Sequence, residues 1–253
     1  MIDIRKWVLG KRETEKLYLR DSYLRTCEAI LLDYVNDRKN KYYVILDRTI
    51  FHPRGGGQPS DVGMITGANF EFQVKKALSV NNVVVHYGIL MRGNLEKKIP
   101  VKCILDWNRR YYIMRLHTAG HILDHALREV YSRVVDTVSA EHGPPKPYVE
   151  YRAESPTQDV LLNIEEIANH TVKEAKQVRV IFTDREQLNK YVVNAPNIDR
   201  LPPADIYRIV VIEDVNAIPC TGTHVANTRE VGRICVKGVE RTNSGFKLYY
   251  DVA

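Results

Sequence analysis

The hydrophobic period of this chain changes near Pro100, from strand-like runs to a helical stripe, so its two parts fold by different rules. Before that point, apolar residues come in short runs separated by turn formers. The runs predict a strand over 26–35, a polar turn at 36–40 and a returning strand over 41–47, followed by strands over 69–75 and 82–86. Gly63, Gly67, Gly88 and Gly93 read as punctuation between strands. Short strands at this spacing suit a small β-barrel. After Pro100 and a short run at 101–105, apolar side chains fall at Ile113, Leu116, Leu123, Leu127, Val130 and Val134, the stripe of an amphipathic helix that Asp106 or Asn108 can cap.

The rest of the second part alternates the two patterns. Pro144, Pro145 and Pro147 mark a loop, 148–152 a strand, 160–176 a helix, 178–183 a strand and 184–192 a second helix. Strands over 206–212, 232–239 and 246–252 complete a mixed sheet. The expectation is an α+β chain: an N-terminal segment over 1–14, a small β-barrel over 15–99 and an α+β domain over 100–253.

Composition narrows the class without naming a function. With 253 residues, 44% hydrophobic and 27% charged, the chain is neither disordered nor fibrous. Its longest apolar stretches, such as 83–90, fall far short of the roughly 20 residues that cross a bilayer, and no apolar signal core is apparent, so a cytoplasmic protein without an anchor is expected. Cys27, Cys103, Cys220 and Cys235 are scattered, which argues against a disulfide framework and leaves room for a metal ligand. The net charge of +6 is compatible with a polyanionic partner but does not require one.

Three clusters can carry chemistry. His117-Thr118-Ala119-Gly120-His121 puts two imidazoles about 40° apart on one helix face, close enough to share an ion, although partly buried polar residues would give the same pattern. His125 continues the series and reads as a helix-surface residue. About a hundred residues later, Cys220-Thr221-Gly222-Thr223-His224 supplies a sulfur and a nitrogen at a strand end, with Gly222 allowing a tight turn. Two nitrogens on a helix and a Cys/His pair on a loop form a donor set suited to tetrahedral Zn²⁺. Thr118 stands where a zinc peptidase would need its glutamate, which disfavours that class. The third cluster is Phe51-His52-Pro53-Arg54-Gly55-Gly56-Gly57-Gln58-Pro59-Ser60-Asp61. Gly55, Gly56 and Gly57 permit positive φ and a backbone anion nest, or simply a turn between strands. The ending of a nucleotide-binding P-loop is absent.

Taken in order, the glycine loop with Gln58-Pro59-Ser60-Asp61, then His-Thr-Ala-x-His, then Cys-x-Gly-Thr-His-Val-x-Asn-Thr resembles the editing domain of alanyl-tRNA synthetase, and most closely the free-standing AlaX proteins of medium length. The likeness runs from about residue 15 to 252 and continues through the tail Gly222–Gly232. It implies a translation-factor-like barrel followed by a zinc-containing editing domain. It also implies a trans-editing hydrolase that takes serine, and glycine in a second case, from the acceptor end of mischarged tRNA(Ala), with no membrane involved. No aminoacylation core is recognisable in these residues, so removal rather than attachment is expected. A non-hydrolytic zinc-stabilised tRNA-binding module and a deacylase for another mischarged tRNA, such as a threonine-system substrate, are the alternatives. Two features depart from the pattern: the segment over 1–14, and the loop over 139–147 with Glu141 and His142.

The resemblance assigns His117, His121, Cys220 and His224 to the metal, with His224 expected as the weakest ligand. Gln58 is the first choice to hydrogen-bond the serine hydroxyl, Thr118 and Thr223 next, because a polar partner left unpaired by alanine gives strong discrimination; capping of their own turns is the plainer role. Asp61 reads as a residue fixing the loop or orienting a water. Arg109, Arg110, Arg115, Lys6, Lys11 and Arg12 are candidate phosphate contacts, and Tyr111 and Tyr112 either stack on a terminal base or pack in the core. Whether a metal ion or a protein group such as His142 handles the proton stays open at this level.

Overall fold

A computed structural model describes residues 2–196 and 198–253. The chain forms two compact units. The first runs up to Gly55 and resumes from Pro59 to Tyr111; the second comprises Gly56–Gln58 and Tyr112–Ala253.

The first unit begins with α1 (Ile4–Val8), whose Ile4, Trp7 and Val8 pack against Ile45, Val83 and Val85, so the N-terminal segment is docked within this unit. The strands are β1 (Glu15–Lys16), β2 (Thr26–Arg38), β3 (Lys41–Leu46), β4 (Arg48–Thr49), β5 (Gly63–Thr66), β6 (Phe70–Val80), β7 (Val83–Gly93) and β8 (Ile99–Leu105). β1 and β4 pair in parallel, and the other six close an antiparallel barrel in the order β2-β3-β7-β6-β5-β8. The 13-residue β2 makes closure possible: its first half pairs with β8 and its second half with β3. Leu31, Val44, Leu46, Ile65, Phe70, Phe72 and Val101 fill the interior. β6 is longer than its alternation suggests because a bulge between Val74 and Lys76 shifts the inward set from Phe70, Phe72 and Val74 to Ala77. Gly88, read as punctuation, lies inside β7, whereas Gly63 opens β5 and Gly93 ends β7.

The glycine loop is anchored in this unit by one buried ion pair. Asp61 accepts from Arg110 Nε at 3.0 and 3.1 Å through its two oxygens and from the His52 N–H at 2.6 Å, which ties the loop's two ends together. Arg110 also donates to the carbonyls of Ser22 and Ile50, at 2.9 and 2.6 Å. Arg110 and Asp61 are 0% and 1% exposed. Arg110, expected as a phosphate contact, is therefore a core residue, and Asp61 orders the loop with both oxygens spent.

The second unit is built around α2 (Trp107–Tyr131), which begins in the first unit, where Asp106 Oδ1 caps the Arg109 N–H at 3.1 Å. Its middle is buried on almost every side, with Met114, Ala119, Ile122 and Ala126 joining the expected stripe; Val134 lies beyond its end and is exposed. The remaining elements are β9 (Thr137–Glu141), β10 (Tyr148–Tyr151), α3 (Gln158–Lys173), β11 (Val178–Asp184), α4 (Leu188–Tyr191), β12 (Ile206–Ile212), β13 (Asn216–Pro219), β14 (Ile234–Thr242) and β15 (Gly245–Val252). They form one sheet ordered β14-β15-β10-β9 and another ordered β11-β12-β13. The side chain of Asn169 on α3 bonds both the N–H and the carbonyl of Ile234, fastening the helix to β14. The helix expected over 184–192 is only α4, because Asp184 turns the chain by accepting from the Gln187 N–H. β9 and β13 were not expected. The fold is a mixed α/β chain with a closed six-stranded barrel. No helix among the described residues is long and apolar enough to cross a membrane.

Removing one partner of a buried ion pair leaves the other uncompensated, at a cost of about 3–5 kcal/mol. Asp61→Ala should therefore lower the denaturation midpoint of the barrel unit severely, while Arg12→Ala at an exposed position should leave it within about 0.5 kcal/mol of the parent, as read by urea titration.

Candidate metal centre and its cavity

His117 and His121 face one way from adjacent turns of α2, and Cys220 and His224 come from the segment that follows β13. Their ligand atoms all lie within 4.8 Å of one another. Cys220 Sγ stands 3.6 Å from His117 Nε2 and 3.4 Å from His224 Nε2. A tetrahedral zinc ion places sulfur and nitrogen ligands about 3.5 Å apart, so the sulfur-to-nitrogen edges are already at the right length. Gly222 is required here for packing: a Cβ on it would fall 2.1 Å from His117 Cε1 and 2.8 Å from Gln58 Oε1. His125 is outside this cluster.

Hydrogen bonds choose which nitrogen each imidazole offers. The backbone N–H of Thr223 donates to Gln58 Oε1 at 2.8 Å, which fixes that atom as the oxygen. His117 Nδ1 lies 2.9 Å from the same oxygen and must carry the proton, leaving Nε2 as the ligand. Thr118 Oγ1 donates to the Met114 carbonyl at 2.9 Å, so His224 Nδ1, 3.2 Å away, donates to Thr118 and keeps Nε2 for the metal. Gln58 Nε2 donates to Thr223 Oγ1 at 2.9 Å. Gln58, Thr118 and Thr223, expected to read the serine hydroxyl, are all buried; here Gln58 bonds His117, Thr118 bonds His224, and Thr223 bonds Gln58. Nδ1 of His121 is buried with no hydrogen-bond partner among the described residues.

The electrostatics fit a cation. Burial lowers His121 to about 3, helped by His142 and Arg208, so it is a neutral donor at neutral pH. Burial pushes the Cys220 thiol up against the pull of Arg208, so binding a metal as thiolate would release its proton to solvent. The residues present fit zinc.

His142 stacks on His117, with ring centroids 4.2 Å apart and planes 17° from parallel. Tyr250 donates to the Leu116 carbonyl at 3.0 Å, so His142 Nδ1, 2.7 Å from that hydroxyl, is the protonated nitrogen and Nε2 is bare. Burial lowers this ring to about 4. Gly56 and Gly57 take φ of +58° and +74°, and the Gly57 carbonyl accepts from the His142 N–H at 2.7 Å. These groups border a cavity of about 640 Å³, lined by Gly57, His117, His121, Asp124, His142 and Cys220 among others.

Other expected contacts are occupied elsewhere. Arg115 donates to the carbonyls of Val231 and Ala253, and Lys11 pairs with Asp33 at 2.5 Å and lies over the Trp7 ring. Arg109 donates to the Ser60 carbonyl at 3.4 Å. Tyr111 stacks on Trp107, and Tyr112 donates to Asp251 at 2.6 Å, its hydroxyl pushed up to about 12 by burial and that carboxylate. Arg12 and Lys6 are exposed, and Gly55 has open space beside it.

Comparison with known proteins agrees with the site. Residues 28–109 match the family model for class II (A) tRNA synthetases, and residues 207–247 that for the second additional domain of threonyl and alanyl tRNA synthetases. The alanyl-tRNA editing protein AlaX-L of Pyrococcus horikoshii is 36% identical over 223 residues, 88% of this chain and 54% of that protein. This chain is similar to an alanyl-tRNA editing protein. The alanine–tRNA ligases of Ignicoccus hospitalis and Hyperthermus butylicus are 32% and 34% identical over 96% and 99% of the chain, covering 26% and 27% of their own lengths. The chain thus spans about half of the editing protein and about a quarter of the ligases.

Loss of a group that orients a metal-bound histidine typically costs about 10–100-fold in metal affinity. Gln58→Ala should show a loss of that size in competition with a chromophoric chelator, with the fold retained by circular dichroism.

Proposed function

We propose that this protein is a hydrolase that removes serine, and glycine secondarily, from mischarged tRNA(Ala). The observation that carries this reading is the four-donor cluster, His117, His121, Cys220 and His224, bordering a cavity of about 640 Å³. That volume lies in the range of small-ligand sites and suits the aminoacylated end of a tRNA. Similarity to an alanyl-tRNA editing protein over 88% of the chain supports the same substrate.

The substrate is an ester between an amino acid and a ribose hydroxyl, and its hydrolysis needs a placed water and an environment that tolerates charge on the carbonyl oxygen. Zinc bound by the four residues would supply positive charge beside that oxygen and would make a nearby water more acidic. Gln58 and Thr118 hold His117 and His224 in the ligating tautomer. His142, neutral and with its bare nitrogen fixed by Tyr250, can accept a hydrogen bond from a water in the cavity. Rejection of alanine would fall to Gln58, Thr118 or Thr223, which border the metal candidates, together with other polar groups of the cavity. Action on tRNA places the protein in the cytoplasm, and Arg12 and Lys6 are the available phosphate contacts among the candidates.

The purified protein should release serine from seryl-tRNA(Ala) at least about 100-fold faster than alanine from alanyl-tRNA(Ala). A chelator should abolish release and added zinc should restore it. Release of neither amino acid by protein that holds zinc and binds tRNA would favour the tRNA-binding module, and preference for a threonine-system tRNA would move the substrate.

A further inference from the structure

The cavity beside the metal cluster contains one carboxylate among its lining residues, that of Asp124. It stands on α2 one turn beyond His121, and His117, His121 and Asp124 share a face within about 60°. Its Oδ1 accepts from the Tyr151 hydroxyl at 2.9 Å, and Tyr151 is itself 0% exposed, so the carboxylate is held in one orientation. Among the described residues Oδ2 has no hydrogen-bond partner and Asp124 forms no ion pair, although Arg200 and Arg208 line the same cavity. Arg208 Nη1 is directed at the Cys220 carbonyl, 2.5 Å away.

An oriented carboxylate in a cavity, with one oxygen unpartnered and no counter-ion, is complementary to a cation brought by the ligand. An aminoacyl ester has one. Esterification removes the carboxylate charge of the amino acid, and the α-ammonium is then the only charged group on serine, glycine or alanine. The geometry suits this pairing. The ammonium nitrogen is two bonds from the ester carbonyl carbon, and Asp124 is displaced from His121 by about 4.5 Å along the helix axis. A carbonyl beside the metal candidates would leave its ammonium within reach of Asp124 in the same cavity. Resting on the deacylase reading above, we propose that Asp124 is the subsite that binds the α-ammonium of the aminoacyl group, held in place by Tyr151. Burial pushes the Asp124 carboxyl up to about 7, against the opposing effect of the Tyr151 hydroxyl, which is the cost of a buried charge that a bound ammonium would remove.

The subsite predicts that the protein requires a free amino group on its ligand; this contact is common to serine, glycine and alanine and leaves discrimination between them to other groups of the cavity. The test is the affinity of the metal-loaded protein for 3′-seryl-amino-3′-deoxyadenosine, whose amide resists hydrolysis, and for its N-acetylated form, by isothermal titration calorimetry. The parent should prefer the free-amino ligand by on the order of tenfold or more. Asp124→Asn, which still offers Tyr151 an acceptor, should lose that preference by weakening the free-amino ligand alone; the acetylated ligand reports in the same protein that the fold and cavity survive. Equal weakening of both ligands, an unchanged preference, or no binding of either by the parent would overturn the proposal. A parent that binds with this Asp124 dependence yet does not hydrolyse seryl-tRNA(Ala) would retire the deacylase reading and leave the subsite standing.

Discussion

The centre of the second unit depends on a choice of tautomer. An imidazole binds a metal through one nitrogen only if the other carries the proton, and here protein groups impose that choice on two of three histidines. Gln58 fixes His117 because the Thr223 N–H fixes Gln58, and Thr118 fixes His224 because the Met114 carbonyl takes the threonine proton. Each chain of bonds starts at the backbone and ends at a ligand. The cluster is assembled from segments far apart in sequence: the glycine loop, α2 and the turn after β13.

This arrangement assigns different work to neighbouring polar residues. Gln58 and Thr118, which bond His117 and His224, and Thr223, which bonds Gln58, are buried. Those pointing at the cavity, Asp124 and His142, are each held by a tyrosine hydroxyl, Tyr151 or Tyr250, and each keeps one atom unpaired. Oriented groups with spare hydrogen-bonding capacity are what a ligand can use, since they are preorganised and incompletely satisfied. In the barrel unit the glycine loop is ordered by Asp61 and Arg110, an ion pair sealed from solvent that uses both charges for structure.

Much of this was legible in the residues. The change of period near Pro100 separates barrel strands from the helix, and the four metal donors follow from two short motifs with suitable chemistry. What escaped the reading has physical causes. The bulge at Val74 and Lys76 breaks alternation in mid-strand, so β6 looked shorter than it is. Gly88 sits within β7, where a Cβ would fall 2.0 Å from the Gln73 carbonyl oxygen, so a glycine read as a turn is a close backbone contact. Arg110 looked like its neighbour Arg109, and only the tertiary fold distinguishes a buried arginine from a surface one. The Gln58 bond to His117 is not visible in the sequence, because spacing cannot tell which face of a loop a side chain leaves. Asp124 carried a signal that went unused: it lies seven residues after His117, two helical turns along the same face.

X-ray absorption at the zinc edge, combined with metal analysis of the purified protein, addresses the central claim most directly. The account predicts one zinc per chain with three nitrogen ligands at about 2.0–2.1 Å and one sulfur at about 2.3 Å. A shell of oxygen and nitrogen without sulfur, or protein that holds no metal after purification with zinc present, would contradict it.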